Sequence, residues 1–185
     1  PCVAFSIAGK RLGFEDERGN IFFYLLDIIS KKKPQCIFLE NVKNLERHNK
    51  GNTFSVIKTA LEDKGYTLKY QVMNSCEYGN IPQNRERIYI VGFYNPEQAE
   101  SFKFPKPIPL TKNMMDVLES DIPDKYYYEN SKIYDKIKDD IVKHISTDTV
   151  YQYRRHYVRE NKSGLCPTLT ANMGTGGHNV PLILD

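Results

Sequence analysis

The sequence predicts an α/β fold, in which the strands of a mostly parallel sheet alternate with helices. Short apolar runs that are typical of strands alternate with longer segments whose apolar residues share one helical face. The order is strand 36–39, helix 53–64, strand 66–73 and strand 88–93. Residues 66–73 alternate with a period of two, and 88–93 is rich in β-forming residues. Ligands of such sheets bind beyond the strand C-termini, so Glu40 lies where chemistry is expected.

The first elements follow from apolar runs and their boundaries. We predict a largely buried helix over residues 19–33, because this segment is dense in apolar residues and ends in three lysines, which suit a helix C-terminus. Pro34 ends that helix, and the continuous apolar run 36–39 is typical of a strand buried on both faces of a parallel sheet. The apolar residues of helix 53–64 share one stripe, and Gly65 is placed to cap it.

The pattern changes after residue 95. Prolines crowd the next stretch and predict a linker or an irregular connection. Isoleucines spaced four apart then predict a helix around residues 133–141. We predict short strands around 150–153 and 157–158 and a turn at 161–164. The segment Cys166–Gly177 follows.

Composition limits the class of protein. The chain has 185 residues, with 26 basic and 23 acidic side chains and a net charge of +3, which allows contact with nucleic acid without arguing for it. Hydrophobic residues make up 40% of the chain, enough to bury a core, and no apolar run approaches the roughly 20 residues of a membrane span. Four cysteines without a CxxC pair give no support for a metal site. We expect a reducing compartment, no secretory leader and no membrane partner.

Cys2 is the first residue with potential chemistry. It follows a proline and precedes a loop of small residues with cations at Lys10, Arg11 and Arg18. Such a setting could lower the thiol pKa and make the thiolate the reacting species. A buried structural cysteine is the ordinary alternative. A cysteine protease is disfavoured because no histidine has a local signature that ties it to Cys2.

Two arginines stand two residues apart immediately before the strand 88–93. Arg85 and Arg87 belong to the run Gln83-Asn84-Arg85-Glu86-Arg87 and could point toward the same cleft edge. Their guanidinium groups would bind phosphate or carboxylate bidentately. The alternative is an exposed charged turn in which Glu86 neutralises a neighbour.

The last third of the chain combines cations, tyrosines and a glycine-rich segment. Residues Cys166–Gly177 could present backbone amides and hydroxyls to a phosphate backbone. The preceding residues form the densest cation and aromatic cluster in the chain: Tyr151, Tyr153, Arg154, Arg155, Tyr157, Arg159 and Lys162. A solvated face of a β-hairpin is the alternative to nucleic-acid binding.

Taken in order, these motifs resemble the DNA (cytosine-5) methyltransferase family of the bacterial restriction-modification type. The matching elements are Pro1-Cys2, Glu40-Asn41-Val42, Gln83-Asn84-Arg85-Glu86-Arg87 and Thr168-Leu169-Thr170-Ala171. Val3 stands where the family usually has glutamine. The family's glycine-rich cofactor loop lies upstream of its Pro-Cys motif, and its closing elements should follow Asp185. The resemblance therefore implies an internal segment that is not active alone.

The resemblance also implies a division of the chain. Residues 1–95 would be the C-terminal half of the catalytic domain, forming the later half of a Rossmann-like methyltransferase sheet with crossover helices. Residues 96–185, the recognition region, would form a smaller, mixed and irregular target-recognition domain.

The chemistry implied by the resemblance is methyl transfer from S-adenosylmethionine to C5 of a cytosine flipped out of DNA. Cys2 would add to C6, and Glu40, as a buried carboxyl at a strand end, would donate a proton or hydrogen bond at N3. Arg87 would hold the base O2, whereas Arg85 would brace the site or a phosphate. Pro1 would contact S-adenosylmethionine.

The other residues of the implied site would contact DNA, and no metal is expected. They are Ser6, Lys10, Arg11, Asn41, Arg154, Arg155, Arg159, Thr168, Thr170, Gly176 and Gly177. The expected partner is double-stranded DNA, and the expected intact enzyme is a monomer of the bacterial cytoplasm.

Two other functions stay open at this point. One is a catalytically silent DNA-binding module that uses residues 96–185, and the other is RNA cytosine-5 methylation on the same scaffold. The combination of Cys2, Glu40 and the two arginines favours an enzyme, because a pure binder needs no nucleophile beside a carboxyl group. The length of the recognition region favours DNA over RNA.

Overall fold

A computed structural model describes most of the chain from residue 21 onwards. The described residues are 21–129, 131–144, 146–154, 156–171, 173 and 180–184. They form two compact units, each built from separate stretches of the chain. The first unit combines the described residues up to Met73 with Glu86–Lys106, and the second combines Asn74–Arg85 with the described residues from Pro107 onwards.

The described part of the chain contains both helices and strands, and it ends in a series of short strands. The α-helices are α1 (Ile21–Lys32), α2 (Asn52–Glu62), α3 (Ser75–Tyr78), α4 (Pro96–Ser101) and α5 (Tyr134–Ile141). The strands are β1 (Cys36–Val42), β2 (Thr67–Asn74), β3 (Gln83–Asn84), β4 (Glu86–Phe93), β5 (Tyr151–Tyr153), β6 (Val158–Glu160), β7 (Cys166–Pro167) and β8 (Pro181–Leu182). Short 3₁₀ helices span Lys43–Glu46, His48–Gly51, Met115–Val117 and Asp124–Tyr126. None of the described helices is long and apolar enough to cross a membrane.

The sheet of the first unit has the strand order β1-β4-β2. β1 and β4 run antiparallel, in a register that pairs Cys36 with Phe93 and Val42 with Arg87. The prediction that β1 belongs to a parallel sheet was therefore wrong for this pairing. A continuous apolar run indicates burial but not the direction of the neighbouring strand, which tertiary structure decides. The mixed α/β class itself is confirmed.

β1 buries one face, not two. Ile37 lies in the core, whereas 64% of Phe38, on the opposite face, is accessible. The Phe38 ring stacks on Tyr89 of β4, with ring centroids 5.7 Å apart. This cross-strand pair removes part of the Phe38 ring from water.

α1 is less buried than its composition predicts. Phe22 and Ile29 are buried, but Ile28 is exposed and 73% of Tyr24 is accessible. Only one face of the helix therefore packs on the core of the first unit. Apolar residues all around a helix predicted burial, but the observed packing uses a single stripe.

α2 agrees with its predicted stripe and end. Phe54, Ile57 and Leu61 are buried in the core of the first unit. Gly65 follows the helix with φ of +88°, a left-handed conformation that favours glycine. A Cβ atom at Gly65 would also lie 3.4 Å from the ring of Tyr94.

The proline-rich stretch begins with a short capped helix that was not predicted. The Asn95 side chain accepts a hydrogen bond of 2.9 Å from the N–H of Glu97, and Pro96 occupies the first turn of α4. Asparagine followed by proline is a known helix start, so the signal was present in the sequence. Residues 102–114 contain no helix or strand, as predicted for an irregular connection.

The second unit contains a small antiparallel sheet with the order β6-β5-β8. The predicted helix and β-hairpin are confirmed as α5, β5 and β6. Ile137 of α5 packs on the sheet in a core that also contains Tyr151, Tyr153, Val158 and Leu182. A second pair of strands, β3 and β7, runs parallel and pairs Gln83 with Cys166.

Candidate active site

Glu40 and Arg87 form an ion pair at the end of β1 and the start of β4. Glu40 pairs across the sheet with Tyr89, and Arg87 stands two residues before Tyr89 on the same face. Long side chains at such diagonal positions can meet. The Arg87 Nε lies 2.9 Å from the Glu40 Oε1. The strand register thus brings the Glu-Asn-Val motif and the last arginine of the Gln-x-Arg-x-Arg motif together.

The two members of this pair differ in exposure. The Arg87 side chain is 12% accessible and that of Glu40 is 40% accessible. Glu40 is therefore not the buried carboxyl that the sequence predicted, because only one face of β1 is covered. The guanidinium also donates a 2.8 Å hydrogen bond from its Nη1 to the carbonyl of Glu86. This second contact fixes Arg87 independently of Glu40.

A second ion pair joins the same two motifs. The Lys43 Nζ lies 2.5 Å from the Glu86 Oε1. Lys43 follows the Glu-Asn-Val motif directly, and Glu86 stands between the two arginines of its run. Glu86 thus pairs with a lysine that is distant in sequence. The alternative of an exposed charged turn had paired Glu86 with a neighbouring residue. Sequence reasoning missed Lys43, whose only signal was its position after the motif.

The side chain of Asn41 is turned to its own backbone. Its Oδ1 accepts a hydrogen bond of 2.8 Å from the N–H of Val42. This contact shapes the end of β1 next to Glu40. The expected DNA contact of Asn41 stays a prediction.

Arg85 makes its contacts in the second unit, whereas Arg87 belongs to the first. The Arg85 Nη1 donates a hydrogen bond of 3.3 Å to the carbonyl of Leu169. The Thr168 hydroxyl donates one of 2.7 Å to the carbonyl of Asn84. The Thr-Leu element is therefore attached to residues 84–85. The two arginines have different partners, although they are two residues apart.

The predicted cluster of tyrosines and arginines is divided between the core and the surface. Tyr151 and Tyr153 are buried in the core of the second unit, whereas Tyr157 is exposed. This corrects the interpretation of these residues as one exposed face, because β5 lies between β6 and β8 and all three of its residues are buried. Arg159 is exposed, and the Arg154 Nη1 donates a 3.2 Å hydrogen bond to the Gln152 Oε1. Contacts of these arginines with DNA stay predictions.

Cys166, the first residue of β7, is not a candidate nucleophile. It is buried in β7, and burial raises the pKa of its thiol, an effect that a hydrogen bond with Gln83 opposes. A thiol held in its protonated form is a poor nucleophile. Among the cysteines of the described residues, Cys36 is the exposed one.

Several predicted site residues lie outside the described part of the chain. They are Pro1, Cys2, Ser6, Lys10, Arg11, Arg155, Gly176 and Gly177. Thr170, another predicted DNA contact, lies within the described residues and is exposed. The nucleophile and the cofactor contact therefore stay predictions from sequence.

Comparison with known proteins shows the family of the chain. The family model "C-5 cytosine-specific DNA methylase" matches residues 1–181. The chain is 57% identical to the Type II methyltransferase M.Bsp6I of Bacillus sp. (strain RFL6) over 188 residues, which cover 99% of this chain and 59% of that protein. It is 44% identical to the Type II methyltransferase M.HaeII of Haemophilus aegyptius over 166 residues, covering 89% and 48% of the two chains.

A solved structure shows the same fold. The Entamoeba histolytica methyltransferase EhMeth matches with a TM-score of 0.52 and 22% sequence identity, over 68% of this chain and 39% of that one. The chain belongs to the C-5 cytosine-specific DNA methylase family, which confirms the resemblance seen in its motifs. It spans 59% of the length of M.Bsp6I and 48% of M.HaeII.

Proposed function

We propose that this chain is part of a Type II DNA methyltransferase that transfers a methyl group to C5 of a cytosine in a specific DNA sequence. The observation that carries the proposal is the Glu40–Arg87 ion pair. It joins two family motifs whose side chains suit neighbouring atoms of the same base edge, a carboxyl group for N3 and a guanidinium for O2. The Type II methyltransferases among its relatives support a role in restriction-modification.

The reaction begins with addition of the Cys2 thiolate to C6 of the flipped base. This addition makes C5 enamine-like, so that C5 can attack the methyl group. Negative charge develops toward N3 and is neutralised by a proton or hydrogen bond from Glu40, while Arg87 holds O2. Solvent water then takes the C5 proton, the C6–sulfur bond breaks so that Cys2 leaves as a thiolate, and the N3 proton returns to Glu40, which restores the aromatic ring.

The Glu40–Arg87 contact gives each group a defined position before the base arrives. Arg87 is held from two sides, by the Glu40 carboxylate and by the Glu86 carbonyl. Preorganised donors of this kind stabilise a developing charge without reorganising during the reaction. The 40% accessibility of the Glu40 side chain leaves part of its carboxyl group open to a base.

S-adenosylmethionine would supply the methyl group when bound. Pro1, the residue that we assign to it, lies outside the described residues, and we assign none of the described side chains to this group.

Covalent trapping tests the proposal directly. The methyltransferase that contains this chain is incubated with S-adenosylmethionine and duplex DNA that carries 5-fluorocytosine, in which fluorine replaces the C5 proton that must leave. We expect a complex that survives denaturing electrophoresis, and we expect Cys2→Ser to abolish it because a serine hydroxyl stays protonated.

Cys36→Ser is the matched control, since Cys36 is an exposed cysteine outside the proposed site. It should trap DNA as the unaltered protein does. RNA of the same sequence forms the comparison substrate, and trapping of RNA in preference to DNA would show that the scaffold serves RNA. A covalent complex that persists in Cys2→Ser would refute the assignment of the nucleophile.

A further inference from the structure

We infer that residues 74–85, here called the anchor loop, hold two segments of the recognition region, residues 108–112 and 166–169, and fix the position of these segments relative to each other. This inference rests on the proposed function in one respect, namely that residues 96–185 read the DNA target. The anchor loop lies between β2 and β4 in sequence. In the structure it belongs to the second unit, with the described residues from Pro107 onwards.

The anchor loop is closed on itself at its base. The Asn74 Oδ1 accepts a hydrogen bond of 2.9 Å from the N–H of Arg85, and the Asn74 Nδ2 donates one of 2.8 Å to the Asn84 Oδ1. The N–H of Ser75 donates to the carbonyl of Arg85 at 3.1 Å. A loop closed in this way presents its remaining groups from a fixed frame.

The first of these segments, residues 108–112, is held mainly by Asn80. The Asn80 Oδ1 accepts hydrogen bonds from the N–H groups of Thr111 and Lys112, at 2.8 and 3.3 Å. The Asn80 Nδ2 donates to the Thr111 Oγ1 at 2.9 Å. A further bond of 2.7 Å runs from the N–H of Ile108 to the carbonyl of Glu77. Asn80 has φ of +50°, a conformation that asparagine tolerates better than most residues.

The second segment, residues 166–169, is held by the other arm of the loop. The N–H of Cys166 donates to the carbonyl of Pro82 at 2.8 Å, where β7 pairs with β3. The Thr168 hydroxyl then donates to the carbonyl of Asn84, followed by the contact from Arg85 to Leu169. A hydroxyl has one proton, so Thr168 cannot donate to a phosphate while it holds Asn84. Thr168 and Asn80 are thus positioning residues.

Amide hydrogen exchange on the 185-residue chain tests the anchor without DNA. Asn80→Gly keeps the backbone freedom and removes the side-chain bonds, so exchange at the Thr111 and Lys112 amides should rise roughly tenfold. Asn49→Gly is the matched control, because Asn49 is exposed in the first unit with φ of +49°. Equal effects of the two variants on the Thr111 and Lys112 amides would overturn the proposal.

The Cys166 amide reports on the second segment. Thr168→Val should speed its exchange several-fold by removing the hydroxyl, and Thr168→Ser should restore the original rate. Thr147→Val, at an exposed threonine of the same unit, should leave it unchanged. An unchanged Cys166 rate in Thr168→Val, with weaker DNA binding and a salt slope lower by about one, would overturn the proposal in favour of a phosphate contact.

Steady-state kinetics separate positioning from a merely structural role. In the methyltransferase that contains this chain, Asn80→Gly should raise KM for target duplex roughly tenfold and leave kcat within about twofold. A fall in kcat at unchanged KM would overturn the positioning role. An unaltered protein that methylates no DNA, with the exchange results as expected, would refute the proposed function and leave the anchor standing.

Discussion

At the scale of single residues, Glu40 carries the most specific chemical prediction. We expect Glu40→Gln to slow single-turnover methyl transfer by about 10²-fold or more, because an amide cannot deliver a proton. The amide oxygen can still accept the hydrogen bond from Arg87, which is 2.9 Å from the carboxylate in the unaltered protein. The affinity for target DNA should therefore change little. Rapid-quench transfer of a labelled methyl group measures the rate, and fluorescence anisotropy measures the binding.

Glu62→Gln provides the control for Glu40, since Glu62 is an exposed glutamate at the end of α2. Its rate should equal that of the unaltered protein. If Glu40→Gln turned over at a near-normal rate, the proton would have to come from another group.

Asp140 carries a prediction about pH and stability. Its pKa is held below the usual value of 3.8, chiefly by a hydrogen bond from the N–H of Val158 and also by Lys143. A carboxyl whose pKa is lower in the folded state stabilises the fold above the unfolded pKa. That contribution is lost as pH falls below 3.8 toward the folded value. Acid should therefore loosen the contact between α5 and β6.

Asp140→Asn should make stability less dependent on pH in this acidic range than it is in the unaltered chain. The measurement is the urea midpoint of unfolding from pH 3 to pH 7, with Asp139→Asn as control because Asp139 is the exposed neighbour. Parallel pH profiles for Asp140→Asn and the unaltered chain would contradict the assignment.

At the scale of the elements, Gly92 sets how closely three strands pack. It pairs with Ile37 of β1, and a Cβ at Gly92 would lie 2.6 Å from the Ile37 Cγ1 and 2.9 Å from the Leu68 Cδ2 of β2. Its φ lies outside the left-handed region, so space and not backbone conformation requires glycine. Gly92→Ala should lower the free energy of unfolding by about 1–3 kcal/mol.

A double-mutant cycle measures the origin of that cost. In an Ile37→Ala background, the added methyl group of Gly92→Ala meets fewer atoms, so its cost should be smaller than in the unaltered chain. Urea unfolding of the four proteins gives the comparison. Strictly additive costs would show that the Gly92–Ile37 contact does not limit the packing.

The elements also show what the sequence could predict. A stripe such as Phe54, Ile57 and Leu61 depends on local spacing, so α2 was predicted with its buried face. The antiparallel pairing of β1 with β4 depends on contacts between distant segments and was missed. The Lys43–Glu86 ion pair joins residues 43 positions apart and follows from the same register. The motifs identified Glu40 and Arg87, whereas the contact between their side chains could be seen only in the folded structure.

The prediction of a surface cluster in the last third of the chain was wrong because it, too, depended on the fold. Counting tyrosines and arginines along the chain does not show that β5 is the central strand of its sheet, where Tyr151 is buried. The contacts of Asn80 with Thr111 and Lys112 had no sequence signal either, because they join two irregular segments.

At the scale of the whole molecule, the packing units and the proposed functional regions have different bounds. The division of function at residue 95 is a prediction from the resemblance, whereas the units divide at residues 73, 85 and 106. The five residues Gln83–Arg87 contribute to both units, with Arg85 in one and Arg87 in the other. One motif thus supplies a proposed catalytic side chain and a contact with the Thr-Leu element.

Exchange of segments between family members tests this arrangement. We predict that grafting residues 96–185 into a member with a different target transfers the choice of target, because base-edge contacts specify sequence. Grafting residues 74–85 together with 96–185 should give a more active hybrid, since the anchor loop then matches the two segments that it holds. Residues 74–85 alone should leave the recipient's target unchanged. Sequencing of the methylated sites measures target choice, and an active double graft that keeps the recipient's target would exclude residues 96–185 as the recognition region.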